Sequence, residues 1–256
     1  MPDFHLTVLG SGPSWPNPGG ACSGYLASAN GTRILLDCGP GVAGRLLANV
    51  SLRDLSAIVI SHMHPDHFLD LVAVRNAVTY GGQSDRPPRL LLPPGGADVL
   101  AALGRVLDGD EHAFARAFDV GEYDPSATVE IGPCSLSFRR MRHPVPAFAT
   151  RVEAGRALVF SGDTGPCEAL VALARGVDML LCESTLVSAE GESAKGERMH
   201  LSGAEAGQIA REAGVSRLLL THMPIDPDDP ERQLRDARDA FSGAVEHAAE
   251  GRRYAI

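Results

Sequence analysis

Three of the nine histidines lie within six positions of one another, in the segment SHMHPDH at residues 61–67. With the aspartate among them they give four side chains that can bind a metal ion, namely His62, His64, Asp66 and His67. Imidazole and carboxylate donors suit zinc, manganese or iron. Four donors on one short turn are too crowded for one tetrahedral ion. We therefore predict two ions about 3.5–4 Å apart, which take further ligands from elsewhere in the chain.

Candidates for these further ligands follow apolar β-type segments. His143 follows SLSFRRMR, Asp163 ends ALVFSGD and His222 ends RLLLTH, just as His62 follows AIVIS. Functional groups collect at the carboxyl ends of the strands in sheets with parallel strands. We therefore predict that the ends of these segments lie close together. The histidines without such a context are interpreted as surface or core residues: His5, His112 and His247.

Short β-type and helical segments alternate along the chain, and each half is β-rich first and then βα. The segment AIVIS (57–61) is predicted to be a buried strand, and a helical pattern runs from about Phe68 to Val78. A hairpin is predicted around Gly155, and SGAEAGQIAREAG (202–214) predicts a helix capped by its first serine and last glycine. Two packed sheets with outer helices accommodate this order in one domain over residues 1–256.

Composition and charge narrow the class of partner. The 256 residues carry 23 basic and 32 acidic side chains, for a net charge of −9. A protein that grips long nucleic acid usually presents a basic face, so the acidic balance favours a small substrate. The five widely spaced cysteines include no C-x-x-C pair, which is typical of reduced thiols in the cytoplasm. We expect no signal peptide, because the N-terminal residues show no basic region followed by an apolar core. We expect no membrane span, because no apolar run approaches about 18 residues.

The motif H-x-H-x-D-H, the later lone histidine, the aspartate in SGDTG and the histidine in LTHMP together resemble the metallo-β-lactamase superfamily. The closer likeness is to its ribonuclease Z-like phosphodiesterase branch, and it runs from LGSGPSWP to LLLTHMP. The resemblance implies an α/β fold, a four-layer αββα sandwich of two mixed β-sheets with outer helices. It also implies two divalent metal ions, zinc first, with manganese or iron as alternatives. By the match, one ion is held by His62, His64 and His143, the other by Asp66, His67 and His222, and Asp163 bridges both.

Two more residues resemble functional groups of that branch. Glu183 in LLCEST matches its acidic residue after a strand, and His200 in MHLSGAEAG matches its histidine before a helix. In the family this pair is thought to act as a proton donor. A solvated strand-end carboxylate and a loop histidine are the alternative interpretations. We expect catalytic roles for Asp66, Glu183 and His200.

This set of groups predicts the hydrolysis of an anionic ester. Two dications outweigh Asp66, Asp163 and a bridging hydroxide, so the centre keeps a positive charge. The metals lower the pKa of water towards about 7, and the bridging hydroxide can then attack phosphorus. A ribose alkoxide leaving group needs a proton, which a histidinium at His200 supported by Glu183 would supply. The leading hypothesis is a phosphodiesterase that acts on a cyclic nucleotide or another small phosphodiester.

Two departures from the family argue against long nucleic acid as the substrate. Ribonuclease Z proper has a long basic arm between the positions that match His143 and Asp163, where only nineteen residues stand here. The loop SGPSWPNPGGACSGY also lacks the Arg-Asn pair of those enzymes. The stretches SGDTGPCEALVALARGVDMLLCEST and HLSGAEAG look most like actinobacterial members that hydrolyse cyclic nucleotides. A 3′-end ribonuclease for transfer RNA, a lactone or thioester hydrolase, and a non-catalytic metal-binding or sensor protein remain as alternatives.

The surroundings of the site give further expectations. The resemblance implies a homodimer. The polar stretches 81–89 and 188–199 could close over the site, and Lys195 and Arg198 in the second could meet a substrate phosphate, with a solvated loop as the alternative. Four glycines are interpreted as turn residues near the site: Gly10, Gly12, Gly39 and Gly41.

Overall fold

The structure is a computed structural model that describes residues 3–81, 87–187, 198–226, 229 and 231–256. The strands of the first sheet are β1 (Phe4–Gly10), β2 (Gly24–Ala29), β3 (Thr32–Leu36), β4 (Ala57–Val59), β5 (Arg89–Leu92), β6 (Asp119–Glu122) and β14 (Arg253–Ala255). Those of the second are β7 (Val129–Ile131), β8 (Cys134–Arg140), β9 (Phe148–Glu153), β10 (Ala157–Phe160), β11 (Met179–Glu183), β12 (Arg217–Thr221) and β13 (Ala244–His247). The helices are α1 (Val42–Asn49), α2 (Pro65–Phe68), α3 (Leu71–Tyr80), α4 (Gly96–Asp108), α5 (Glu168–Leu173), α6 (Gly203–Ala213) and α7 (Arg232–Ala240).

Each sheet combines antiparallel and parallel pairing. The order of the first is β14-β1-β2-β3-β4-β5-β6, and its strands pair in parallel from β3 to β6. The order of the second is β13-β12-β11-β10-β9-β8-β7, and its strands pair in parallel from β10 to β13. The carboxyl ends of β4, β10, β11 and β12 each carry or lead into a candidate site residue.

Buried apolar side chains form three layers, one between the two sheets and one between each sheet and its outer helices. Phe138, Phe160 and Leu219 belong to the layer between the two sheets. Leu46 and its neighbours pack α1, α3 and α4 on the outer face of the first sheet, and Ile209 and its neighbours pack α5, α6 and α7 on the second. A fully buried side chain of this size stabilises the fold by about 1.5–3 kcal/mol relative to exposure. These layers confirm the four-layer αββα sandwich, and they hold the strand ends in fixed positions.

The helical pattern from Phe68 to Val78 corresponds to two helices rather than one. The short helix α2 starts with Pro65 at its first position, and α3 begins only at Leu71. Asp70 separates them because its N–H donates to the Cys38 carbonyl, and its carboxylate accepts from the Ala43 N–H. The break therefore ties the histidine-rich turn to the first turn of α1, which the sequence pattern does not reveal.

Other local predictions are confirmed. The hairpin around Gly155 joins β9 to β10. Helix α6 has Ser202 as its N-cap: the Ser202 hydroxyl accepts from the Glu205 N–H, and the Glu205 carboxylate accepts from the Ser202 N–H. The C-cap is Gly214, in the left-handed region at φ +66°. Strands β2 and β6 and helix α1 were missed, because β2 consists largely of small residues that lack a strong β pattern.

The cysteines are all free thiols, as expected. Four of them are buried, and Cys167 is half-buried. Among the described residues, no helix combines the length and the apolar character that crossing a membrane requires.

Candidate metal centre

The turn after β4 places the histidine-rich motif at the junction of the two sheets. His64 is in an extended conformation, and Pro65 then starts α2 with a fixed φ. The His67 N–H donates to the His64 carbonyl at 3.0 Å, and the His67 carbonyl accepts from the Cys38 N–H at 2.7 Å. These backbone bonds hold the turn against the end of β3, so that its side chains point into the space between the strand ends.

The first donor cluster consists of His62, His64 and His143. The Nδ1 atom of His64 lies 3.1 Å from Nε2 of His62 and 3.0 Å from Nε2 of His143. Imidazole nitrogens bound to one tetrahedral zinc at about 2.0–2.1 Å lie about 3.3 Å from one another. The spacing of the three nitrogens therefore fits one shared cation.

The second donor cluster consists of Asp66, His67, Asp163 and His222, whose donor atoms all lie within 4.8 Å of one another. His67 Nε2 is 3.2 Å from His222 Nε2 and 3.2 Å from Asp66 Oδ2. All four residues are buried. The structure thus brings together all seven residues that the sequence analysis singled out as ligands.

Asp163 lies between the two clusters. Its Oδ2 is 3.8 Å from His62 Nε2, whereas its Oδ1 is 3.4 Å from His67 Nε2 and 3.5 Å from His222 Nε2. Oδ1 is buried and makes no hydrogen bond within the described part of the chain. An unsatisfied carboxylate oxygen in the interior is costly, and a bound cation removes that cost. The orphaned oxygen and the mixed nitrogen and oxygen donors therefore fit a pair of divalent cations.

The pKa values of the first cluster favour ligands in the correct protonation state. Burial lowers the pKa of His62, His64 and His143 below the usual imidazole value. Neutral imidazoles have a free lone pair for a metal ion. Asp163 is held in its anionic form, because burial by itself raises its pKa but the neighbouring His222 and His67 outweigh burial and hold that pKa well below the usual range.

The second cluster has a strongly negative field of its own. Burial disfavours the charged form of His67, yet the carboxylates of Asp163 and Asp37 outweigh burial and raise its pKa well above the usual value. Burial also raises the pKa of Asp66, but the neighbouring imidazoles of His222 and His67 outweigh burial and hold that pKa far below the usual range. The same negative field would stabilise a divalent cation bound among these groups, because the charge of the cation exceeds that of a proton they share.

Asp37 is a contributing residue that the sequence analysis missed. It is fully buried at the end of β3, and its carboxylate accepts bonds from the Ser61 N–H at 2.7 Å, the Ser61 hydroxyl at 2.8 Å and His67 Nδ1 at 2.6 Å. Its φ of +59° places it in the left-handed region, which aspartate tolerates better than most residues. The bond to His67 leaves Nε2 of that ring for the second cluster. The signal was present, because LLDC has the same strand-end pattern as the other candidates.

Glu183 and His200 form a pair beside the two clusters. The Glu183 carboxylate is 3.0 Å from His200 Nδ1, and it also accepts from the Thr164 N–H, the Thr185 hydroxyl and two further backbone N–H groups. Glu183 is fully buried, so its interpretation as a solvated strand-end carboxylate is wrong. His200 Nδ1 is 3.9 Å from Asp163 Oδ2, and 22% of its side chain remains exposed. The pair therefore lies next to the candidate metal centre, with only the imidazole reaching solvent.

The glycines near the site are not all turn residues. Gly41 has a φ of +91° and precedes α1, as a turn glycine should. Gly10 and Gly39 are needed for close packing instead, since a Cβ atom would lie 1.9 Å from the Cys22 carbonyl oxygen and from the Asp66 carbonyl oxygen respectively. A Cβ on Gly12 would lie 3.0 Å from the Ala21 carbonyl oxygen, a milder conflict.

The remaining predicted contributors lie at the edge of the described structure or beyond it. Arg198 forms an ion pair with Glu205 of α6. Lys195 lies outside the described residues, as do 82–86 of the first polar stretch and 188–197 of the second. The histidines interpreted as surface or core residues lie outside the two donor clusters: His5, His112 and His247.

Residues 32–223 match the family model described as the β-lactamase superfamily domain. The chain belongs to the metallo-β-lactamase superfamily. It is 35% identical over 246 residues to an uncharacterized protein of Mycobacterium tuberculosis, across 94% of this chain and 88% of that protein. It is 30% identical over 248 residues to the probable metallo-hydrolase YhfI of Bacillus subtilis, across 96% and 97%. A ribonuclease Z of Methanosarcina acetivorans is 29% identical over 294 residues, across 94% and 95%.

Solved structures of this superfamily have the same fold. The crystal structure of YhfI from Bacillus subtilis matches with a TM-score of 0.86 at 25% identity, over 98% of this chain and 99% of that chain. The short form of human tRNase Z matches with a TM-score of 0.74 at 24% identity, over 98% and 99%. These likenesses confirm the resemblance drawn from the sequence, and the superfamily member described here is a metallo-hydrolase.

Proposed function

We propose that this metallo-hydrolase is a two-metal phosphodiesterase that cleaves a cyclic nucleotide or another small phosphodiester. The observation that carries the proposal is the position of the Glu183–His200 pair, with His200 Nδ1 3.0 Å from Glu183 and 3.9 Å from Asp163. A thioester hydrolase has less need of such a pair, because a thiolate leaving group departs without a strong demand for a proton. An alkoxide leaving group does need one.

The ligand roles follow the two donor clusters. His62, His64 and His143 would hold one ion, Asp66, His67 and His222 would hold the other, and Asp163 would be shared between them. When bound, two divalent cations supply polarisation of a phosphoryl oxygen and a water of lowered pKa. Zinc is the metal we expect, and manganese or iron tolerates the same donors. The net positive charge that remains favours an anionic ester.

His200 acts in this proposal as the proton donor. Glu183 accepts the Nδ1–H of His200, so Nε2 of the ring carries the proton that can be transferred. Glu183 has no exposed surface and is saturated with donors, so it orients the imidazole and stabilises its charged form rather than meeting the substrate. The exposed part of His200 allows the ring to regain a proton from solvent after each turnover.

The size of the substrate is inferred from what surrounds the site. Between His143 and Asp163, where ribonuclease Z has its basic arm, the chain forms only the β9–β10 hairpin. The protein is also acidic, with a net charge of −9. Both features favour a small phosphodiester over transfer RNA, and we expect the enzyme to work as a cytoplasmic homodimer. The second candidate is a 3′-end ribonuclease, which the 29% identity to a ribonuclease Z favours.

The test compares substrates that differ in leaving group. Metal-loaded protein is assayed with cyclic nucleotides, bis(p-nitrophenyl) phosphate, precursor transfer RNA with a 3′ trailer, and a lactone panel. We expect His200→Ala to lower turnover of a cyclic nucleotide by about 10²–10⁴-fold. It should affect bis(p-nitrophenyl) phosphate far less, because nitrophenolate leaves without a proton. His112→Ala, a change at an exposed histidine, serves as the control.

The outcomes separate the alternatives. If neither cyclic nucleotides nor bis(p-nitrophenyl) phosphate is cleaved, the phosphodiesterase proposal fails. Cleavage of the trailer alone would promote the ribonuclease, and cleavage of lactones alone would promote the third candidate. Equal losses on both phosphodiesters in His200→Ala would remove His200 from the role of proton donor.

A further inference from the structure

The hydroxyl of Thr185 lies between the candidate metal centre and the Glu183–His200 pair. Thr185 Oγ1 is 2.7 Å from Glu183 Oε2 and 2.9 Å from Nδ1 of His222. Thr185 is half-buried and stands two residues after Glu183, just beyond the end of β11. It is the point where the carboxylate behind the proton donor meets a ligand of the second cluster.

The direction of these hydrogen bonds follows from the single hydrogen of a hydroxyl. The Glu183 carboxylate at 2.7 Å is a shorter and more strongly charged acceptor than the His222 carbonyl at 3.2 Å, so the hydrogen goes to Glu183. The Thr185 oxygen then faces His222 Nδ1 with its lone pairs only. The hydrogen of that contact must therefore come from Nδ1 of His222.

This assignment determines what His222 offers to the second cluster. With the hydrogen on Nδ1, the lone pair of the neutral ring is on Nε2. That atom is 3.1 Å from Asp66 Oδ2 and 3.2 Å from His67 Nε2, at the centre of the cluster. Thr185 thus selects the tautomer of His222 that can bind a metal.

The backbone of His222 has an uncommon conformation, so the contacts that hold this residue in place matter more. Its φ of +54° is in the left-handed region, which is uncommon for a residue with a side chain. The Asn17 amide holds the following segment through the Met223 carbonyl at 2.9 Å and the Ile225 N–H at 3.1 Å. The ring itself is oriented on its outer side by Thr185.

The first cluster has the same arrangement. The Ser61 hydroxyl donates to Asp37 at 2.8 Å, and its oxygen lies 3.1 Å from Nδ1 of His62. Each cluster therefore has one histidine whose outer nitrogen reaches a buried carboxylate through a hydroxyl. The repetition at two unrelated strand ends indicates that the hydroxyl serves the imidazole and is not only a packing residue.

We propose that Thr185 is a positioning residue that fixes the tautomer and direction of His222. Through it, the Glu183 carboxylate supports a ligand of the second ion as well as the proton donor His200. The inference concerns metal affinity, so it holds whichever ester the enzyme hydrolyses.

The test measures zinc binding by calorimetry and by competition with a chromophoric chelator. Thr185→Val removes the hydroxyl at nearly constant volume, and Thr185→Ser keeps it. We expect Thr185→Val to bind one of its two ions about 10- to 100-fold more weakly, while the serine variant stays near the parent. Thr150→Val is the matched control, because Thr150 is buried and its hydroxyl has no hydrogen-bond partner among the described residues.

The affected ion is assigned in a second background. His64→Ala disables the first cluster, so zinc that still binds reports on the second, and adding Thr185→Val must weaken it by the same factor. His200→Ala, in contrast, should leave zinc affinity at the parent value. If Thr185→Val does not fold, Thr185→Ala and Thr185→Ser give the same comparison.

Two results would overturn the inference. One is parental affinity for both ions in Thr185→Val. The other is an equal loss in the serine and valine variants, which would show that keeping the hydroxyl does not preserve the affinity. Because zinc titration needs no substrate, a failure of the phosphodiesterase proposal would leave these measurements unaffected.

Discussion

Substitution of Gly39 by alanine is expected to disable the second donor cluster without touching a ligand. A Cβ atom at this position would lie 1.9 Å from the carbonyl oxygen of Asp66, 2.7 Å from its carbonyl carbon and 2.9 Å from Cys22 Cβ. The nearest atoms belong to the backbone, so no change of rotamer relieves the conflict. To reach even 3.0 Å, the two segments must separate by about 1.1 Å in a close-packed interior.

The size of that movement sets the expected effect. Metal–ligand distances tolerate deviations of about 0.2 Å, so a displacement of about 1.1 Å at Asp66 exceeds the tolerance several-fold. We expect zinc affinity at the second cluster to fall by at least about 10-fold, as it does when the support of a ligand is lost. The free energy of unfolding of the metal-free protein should fall by about 1–3 kcal/mol, as in other overpacked cores.

The measurement is urea unfolding with a chelator present, followed by zinc titration. Gly44→Ala is the control, because Gly44 lies on the exposed side of α1 and a Cβ there would meet nothing within 4 Å. That change should stabilise the protein by about 0.5–1 kcal/mol, since alanine favours a helix over glycine. A Gly39→Ala protein that unfolds at the parental free energy and binds two zinc ions with parental affinity would refute the reasoning.

Further predictions concern the proton donor, the response to pH and the thiols. A Cβ on Gly165 would lie 2.0 Å from the Arg198 carbonyl oxygen, so Gly165→Ala should shift the segment that leads to His200. In steady-state assays this variant should hydrolyse a cyclic nucleotide more slowly, with a smaller effect on bis(p-nitrophenyl) phosphate. Equal slowing of both reactions would contradict the prediction. Burial lowers the pKa of His247, so the stability that the neutral ring contributes is complete above the unfolded pKa of about 6.5 and declines as the pH falls below that value. His247→Gln should therefore flatten the pH dependence of the unfolding free energy between about pH 7 and 5.5. An unchanged slope would argue against this prediction. Burial raises the pKa of Cys22 to about 11, so iodoacetamide near neutral pH should modify the half-buried Cys167 first, as mass spectrometry of peptides can show; equal labelling of both would count against it.

Local chemistry was readable from the sequence because it depends on residue type and short spacing. The turn SHMHPDH predicts a metal site by itself. His143, Asp163 and His222 each follow an apolar β segment. Strand-end placement is a general property of sheets with parallel strands, so the convergence of these residues could be predicted without coordinates. The caps of the helix at 202–214 were readable for the same reason, since a cap is a matter of adjacent residues.

The sequence pattern was weaker where contacts span long distances. Asp37 and His67 are thirty positions apart, and the bond between them depends on how β3 and the turn after β4 meet. The break between α2 and α3 was missed because it depends on bonds from Asp70 to Cys38, just after β3, and to Ala43 in α1. A periodicity records which face of an element is apolar and carries no record of such a partner.

The sequence by itself predicted the seven donors from residue types and strand-end positions. The resemblance to the family implied the four-layer sandwich, the division of the donors between two ions and the Glu183–His200 pair. Only the tertiary structure gave the distances that place Asp163 between the two clusters. It also decided that Glu183 is buried and that hydroxyls of Ser61 and Thr185 link carboxylates to ligands. The physical reason is that hydrogen bonds of about 3 Å require a relative position of strand ends that packing of the three apolar layers sets and that no short stretch of sequence encodes.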